Sequence, residues 1–490
     1  MAGAGIGLAA LEARLKQDLE WLGWPAAGWL PPPRLMDGQS VLDVAIIGAG
    51  QAGLAVASAL SQQGIGAVVF DRAPAGREGP WVTTARMETL RSPKELTGPA
   101  LGLPNLTFRA WFEAQFGAAG WAQLDKIPRV QWMDYLRWYR RAMNVDVRND
   151  TTITAIRPRA DGLVALDVQT PAGTSQMHAR RVVLATGRDG LGGPAVPDFM
   201  ESLDHGLWAH SSDDMDYARL AGKRVGVVGA GASAMDSAAT ALEQGAACGD
   251  LLIRRHDLPR INKSKGGGGP GRTHGHFDLP DAWKWRMRHY VNIQQVPPPR
   301  NSTQRVSRHA NARFHLGCPV LAVRQDGDVL RVLTPKGEFE LDFLIVSTGF
   351  KIDWASRPEL ALIAPQVRAW KDRYTPEAGQ DDEELSDSPD LGPLFEFQEK
   401  HAGACPGLER IHCFCYPATL SHGVVSGDIP AISDGARRLA HGIVSCFYRE
   451  DIDYQYDELL AYAEPELVGD EWVNAPDIIP NQTRRQAGPQ

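Results

Sequence analysis

The strongest constraint on this chain lies in residues 42–72, LDVAIIGAGQAGLAVASALSQQGIGAVVFDR. An apolar run at 44–47 reads as a strand buried on both faces. It turns through Gly48-Ala49-Gly50-Gln51-Ala52-Gly53 into a helix of small residues, and a second apolar run at 67–70 ends on Asp71 and Arg72. Gly48 allows the tight turn, Gly50 has no side chain to hold a pyrophosphate off the backbone, and Gly53 lets the helix lie close to the strand. The helix N-terminus, expected at Ala52 just after Gln51, offers unpaired N–H groups and partial positive charge to phosphates. Asp71 is placed to accept hydrogen bonds from a ribose. A glycine-rich turn alone is a weak signal; strand, turn, helix, strand and terminal acid in this order specify a dinucleotide site.

The layout recurs. Residues 223–228 form another buried strand, followed by Gly229-Ala230-Gly231-Ala232-Ser233-Ala234, a small-residue helix to about 244 and an apolar run that ends on Arg254 and Arg255. Residues 152–178 and 320–341 alternate apolar and polar side chains, the pattern of antiparallel meanders. Each meander precedes a short apolar strand closed by a Thr-Gly pair, Thr186-Gly187 and Thr348-Gly349. The expected fold class is α/β, with two Rossmann-like dinucleotide-binding domains carrying antiparallel β-meander insertions. Charge at the second strand of each unit separates the cofactors: Asp71 suits a free ribose hydroxyl, whereas Arg254 and Arg255 suit a 2′-phosphate that an Asp would repel. The first site therefore reads as FAD and the second as NADPH, with solvated strand-end charges the other reading of the two arginines. The expected organisation is an N-terminal helical extension at 1–40, FAD-binding segments at 41–215 and 346–475, an NADPH-binding domain at 216–345 and a tail at 476–490.

At 490 residues the chain exceeds a single ordinary core. A net charge of −8 disfavours a general nucleic-acid or anionic-membrane partner while leaving room for a local basic pocket. The six cysteines contain no CxxC pair, so neither a metal site nor a disulfide framework is expected, and a reducing cytoplasm fits. Charged residues interrupt the N-terminal apolar pattern, which reads as an amphipathic helix over 8–22 rather than a secretory signal. That extension could serve a homo-oligomer as a subunit contact.

Between the motifs, residues 73–127 read as loop-rich, and 128–143 as a helix with Trp132, Tyr135, Leu136 and Tyr139 on one face. Residues 257–314 hold four consecutive glycines and many cations, among them Arg272, Arg288, Arg300, Arg305 and Arg308. The glycines are either a flexible linker or a loop over an active site, and the cations either a complement to NADPH or an anionic substrate, or a solvated face. The acidic run at 381–390 reads as a solvated loop. Asp428 is expected to cap a helix running to about 448, with Pro430 in its first turn.

Taken together, GAGQAG at Gly48, Gly79-Pro80-Trp81, VLATG at Val183, GAGASA at Gly229 and VSTGF at Val346 resemble the class B flavin-dependent monooxygenases with two dinucleotide domains. This superfamily includes dimethylaniline-type enzymes, Baeyer–Villiger enzymes and amino-acid N-hydroxylases. Residues 87–97, METLRSPKELT, resemble the family stretch that passes over the flavin ring, and 127–138, IPRVQWMDYLRW, is similar to a helix opening of the N-hydroxylases. The fingerprint FxGxxxHxxx(F/W) is only partial: Gly206 and His210 are in place, but Asp204 and Asp214 replace both aromatics.

The resemblance implies hydride transfer from NADPH to FAD, reaction of reduced flavin with O₂ to a C4a-hydroperoxide, and oxygen transfer to a small molecule. N-hydroxylation of a small amino acid or amine, aspartate-like acids included, is the expected outcome. A Baeyer–Villiger or sulfur-oxidising enzyme, and a non-monooxygenase FAD/NADPH redox protein, remain as alternatives. Arg91, Lys94 and His210 are the candidates for catalysis, and Arg272, Arg300 and Arg305 for the substrate. Gly48, Gly50, Gln51, Gly53, Asp71, Arg72, Trp81, Thr186, Gly187 and Asp428 are assigned to FAD. Gly229, Gly231, Ser233, Ala234, Arg254, Arg255, Thr348 and Gly349 complete the cofactor set.

Overall fold

The structure, a computed structural model, describes residues 4–36 and 38–477, so most of the expected tail at 476–490 lies outside the described residues. The chain opens with the helix Ala4–Trp21, whose Leu11 and Leu15 are buried against the first domain.

The first sheet has seven strands, in the order Val147–Arg148, Ala67–Phe70, Leu42–Ile47, Gly173–Leu184, Val164–Thr170 and Thr152–Pro158, with Ile411–Cys413 also paired to Gly173–Leu184. A separate meander strand and apolar strand were expected here. Instead, Gly173–Leu184 is one twelve-residue strand, antiparallel to Val164–Thr170 in its first half and parallel to Leu42–Ile47 in its second. No Gly or Pro falls between Gly173 and Gly187 to break it.

The second sheet is wholly parallel, ordered Trp208–His210, Phe343–Val346, Arg224–Val228, Cys248–Ile253 and Ala312–Leu316. Trp208–His210 thus pairs into this sheet upstream of the expected start at 216. The second meander, Ala322–Asp326, Val329–Thr334 and Gly337–Leu341, forms a small sheet of its own. The two passages between the domains run side by side: Gly192–Pro194 on the way out pairs antiparallel with Phe350–Ile352 on the way back.

Residues 73–127 are loop-rich only as far as Leu106. Phe108–Gln123 is a helix, capped by Thr107 through Ala110 N–H and kinked at Gly117, where φ is 70°. Its Phe108, Trp111, Phe112 and Trp121 join Trp132 and Tyr135 of Arg129–Ala142 in one aromatic core. Buried polar ends find partners: Tyr135 Oη donates to Leu106 O at 2.8 Å and Trp138 Nε1 to Glu12 Oε1 at 3.0 Å, the latter fastening the N-terminal helix. The acidic run also departs from a solvated loop, since Asp390 is buried and paired with Arg368 and Arg373 at 2.7 and 2.9 Å.

The long helix Ile432–Glu450 returns to pack on Gln51–Gln62. At its end Glu450 accepts hydrogen bonds from Arg181, Arg180 and Arg410, which ties the helix to the central strand. Arg181 is 5% exposed, so losing its carboxylate strands a buried charge. Glu450→Ala is expected to lower stability by about 3 kcal/mol in urea unfolding, with the midpoint falling at unchanged m-value.

Candidate active site

The first cradle is shaped by backbone contact. Gly48 has φ 105°, and a Cβ there would lie 2.5 Å from Ala185 O; one on Gly53 would lie 1.9 Å from Gly48 O. A Cβ on Gly50 would meet nothing within 4 Å, so open space lies directly over the N-terminus of Gln51–Gln62, which no side chain caps. A pyrophosphate fits that combination of free N–H groups and absent side chain. Asp71 Oδ2 accepts from Ala49 N–H at 2.7 Å and Oδ1 from Ala73 N–H at 2.8 Å, so its carboxylate braces the turn and keeps lone pairs for a ribose. Burial raises its pKa, opposed by those two N–H bonds. Gln51 Oε1 accepts from Trp132 Nε1, and Trp81 meets the same indole edge-on. Thr186 and Gly187 leave the end of the central strand, beside the turn.

The second cradle repeats the first. A Cβ on Gly229, φ 138°, would lie 2.7 Å from Ser347 O, while Gly231 again faces open space at an uncapped helix, Ala232–Glu243. Arg254 stands exposed just beyond Cys248–Ile253 with no side-chain partner among the described residues, and Arg255 donates to Ile293 O at 2.7 Å. Thr348 Oγ1 donates to Ala195 O, and Gly349, φ 86°, opens the return passage.

Between the cradles lies an arginine group. The Arg188 guanidinium stacks 3.4 Å from the centre of the Tyr416 ring, and Arg288 donates to Tyr416 Oη. Arg188, Arg272 and Arg288 all act electrostatically on Asp428, whose pKa burial raises. Desolvation pulls Arg188 down to about 10, with Glu384 opposing and Arg288 and Arg91 reinforcing the fall. The space that Arg188, Arg288, Tyr416 and Glu384 help to line is about 20 Å³, room for a single water. Asp428 makes no helix-capping hydrogen bond: a short 3₁₀ turn, Ile429–Ala431, separates it from Ile432–Glu450, and its carboxylate answers the arginines instead.

The roomy space lies next door. A cavity of about 610 Å³ is walled by Arg91, residues 93–95 and residues 122–126 of the first domain and by Lys265 from the glycine-rich loop. Arg91 lines it with no hydrogen bond or ion pair among the described residues; desolvation lowers its pKa, while Asp236 of the second cradle raises it. Lys94 Nζ donates to Trp121 O at 2.9 Å and to Leu124 O, so it holds the cavity wall together. Other expected site residues lie elsewhere. Arg305 is clasped by Glu243, Asp236 and Glu88 and is 6% exposed, so it has no free donor face for a substrate. Arg300 is exposed at the head of Arg300–Ser307 and lines neither cavity. His210 is buried with Nδ1 2.6 Å from Ser212 Oγ and its ring edge-on to Phe350, and it lines neither cavity.

Residues 45–264 match the family model described as pyridine nucleotide-disulphide oxidoreductase. Over 467 residues, 95% of this chain and 98% of the relative, the sequence is 41% identical to an FAD-dependent urate hydroxylase of Xanthomonas campestris pv. campestris. This chain belongs to the FAD-dependent hydroxylases. The fold of these flavin monooxygenases is also that of two solved structures at low identity. One is ornithine N-hydroxylase from Kutzneria sp. 744 (TM-score 0.64, 18% identity, 83% of this chain and 99% of that one). The other is ornithine hydroxylase from Pseudomonas aeruginosa (TM-score 0.66, 16% identity, 83% and 99%).

The hydroxylase fold thus accounts for both cradles, one for FAD and one for NADPH. Its disulphide-reducing relatives need an accessible thiol pair; here Cys413 and Cys415, 3.4 Å apart, are both fully buried, and burial raises the Cys413 thiol pKa well above normal. Arg188 and Tyr416 escaped the sequence reading because their stacking joins residues 228 positions apart. Arg254→Gln is expected to raise KM for NADPH roughly tenfold or more and leave NADH unaffected, as read from flavin reduction with each nucleotide.

Proposed function

We propose that this enzyme is an NADPH- and O₂-dependent hydroxylase of a small, planar, anionic heterocycle of the urate class. The observation that carries the substrate class is the cavity of about 610 Å³, where Arg91 is unpaired and four cations face two carboxylates in a protein of net charge −8. The full-length relative acts on urate, and an oxygen-rich anion suits that wall.

FAD, reduced by NADPH, supplies the activated oxygen. The residues of the chain arrange everything around it. The N–H groups at Gln51 and Ala232 hold the two pyrophosphates. The arginines around Asp428 maintain positive potential ahead of the helix Ile432–Glu450, where charge on a reduced ring would gather. Arg91 meets the substrate anion in a partly desolvated setting, where a charge-assisted hydrogen bond gains strength. Lys94 acts by position, fixing the carbonyls of Trp121 and Leu124.

A second reading, N-hydroxylation of a small amino acid, is favoured by Glu95 and Asp125, which line the same cavity without ion-pair partners among the described residues and could face an ammonium. Urate, ornithine, aspartate and simple amines assayed for NADPH and O₂ consumption with product analysis separate the two. Urate-dependent turnover with stoichiometric hydroxylated product is expected, and uncoupled peroxide with every compound would overturn both readings. Arg91→Gln is expected to lower kcat/KM for urate roughly 10- to 100-fold, the loss of one charged hydrogen bond.

A further inference from the structure

The four cations of the large cavity are not equivalent. Lys94 is spent on backbone carbonyls, and Arg91, exposed to the cavity yet crowded enough to be desolvated, is within electrostatic reach of Asp236 and Arg188. Lys126 and Lys265 do neither. Lys126 is half-buried and Lys265 exposed; neither ammonium has a hydrogen bond or ion pair among the described residues. They also come from different domains, Lys126 from the segment after Phe108–Gln123 and Lys265 from the 3₁₀ turn Lys263–Gly267. Both ammoniums line the same open cavity, and no carboxylate among the described residues neutralises either. An anion passing between them would.

We infer that Lys126 and Lys265 form a cationic mouth that draws an anionic substrate into the cavity and hands it to Arg91. This rests on the proposed anionic substrate for its catalytic consequence, but the mouth is a property of the chain itself. Elsewhere the acidic surface repels such a molecule, so a local positive opening between low-dielectric walls focuses the field where entry is wanted. At physiological ionic strength the screening length is about 8 Å, so charges at the rim act over the last approach alone. The mouth should govern the second-order capture of substrate and be sensitive to salt.

The experiment uses the full-length holoenzyme with FAD bound, as wild type, as K126Q/K265Q, and as a control, K16Q/K336Q, that removes the same net charge from exposed lysines elsewhere. Two readouts are taken across an ionic-strength series. The first is kcat/KM for urate. Wild type and control should lose activity as salt rises; K126Q/K265Q should start roughly tenfold lower and show a flattened salt dependence. The second is quenching of bound-FAD fluorescence by iodide against the neutral quencher acrylamide, which reports anion access whatever the substrate is. The iodide-to-acrylamide ratio should fall in K126Q/K265Q and hold in the control. If wild type ignores urate but the ratio still falls, the urate assignment fails and the mouth stands. If the variant keeps both the wild-type salt slope and the wild-type ratio, the mouth is refuted.

Discussion

The structure depends on two points where the backbone crosses itself too closely for any side chain. Gly48 lies against the carbonyl of Ala185, and Gly229 against that of Ser347, each contact short enough that a Cβ would clash. At both points a strand end, a helix start and a neighbouring strand converge. The convergence leaves helix N–H groups unspent and facing outward. Small residues in the following helices, such as Ala52, Ala55, Ala59, Ala234 and Ala238, are the consequence, since the helix must lie close to the sheet for the crossing to form.

A second theme is how the chain distributes its cations. Some arginines are structural clasps: Arg305 between two helices, Arg181 and Arg180 at the end of Ile432–Glu450, Arg368 and Arg373 around Asp390. Each brings a carboxylate with it, as a buried charge must. Others, Arg91, Arg188 and Arg288, are desolvated without a carboxylate in contact, and their pKa values fall for that reason. Charge held without direct ion pairs thus gathers just past Thr186-Gly187 of the first cradle and, through Arg91, within electrostatic reach of Asp236 in the second. The two antiparallel passages, Gly192–Pro194 and Phe350–Ile352, keep the junction between the domains in register.

The sequence made the cofactor half of the site legible because its signals are local. A glycine at a crossing, an uncapped helix start and the charge at a strand end all lie within about thirty residues, and each reports a backbone requirement rather than a distant partner. The helix Phe108–Gln123 was hidden because Gly117 and Gly120 break its periodicity, while burial of Phe108, Trp111 and Trp121 outweighs that cost. Asp428 was misread as a cap because capping is a local inference and the three arginines that claim it come from residues 188, 272 and 288.

By itself, then, the sequence determined that there are two dinucleotide cradles, which of them ends on a carboxylate and which on arginines, and that the chemistry would be carried by cofactors. Only the tertiary structure decided which of many cations are free. Arg305 and Arg91 are alike in sequence, yet one is enclosed by carboxylates and the other opens on a cavity. That difference is set by packing between segments hundreds of residues apart, and a charge acquires its function from what desolvates or neutralises it.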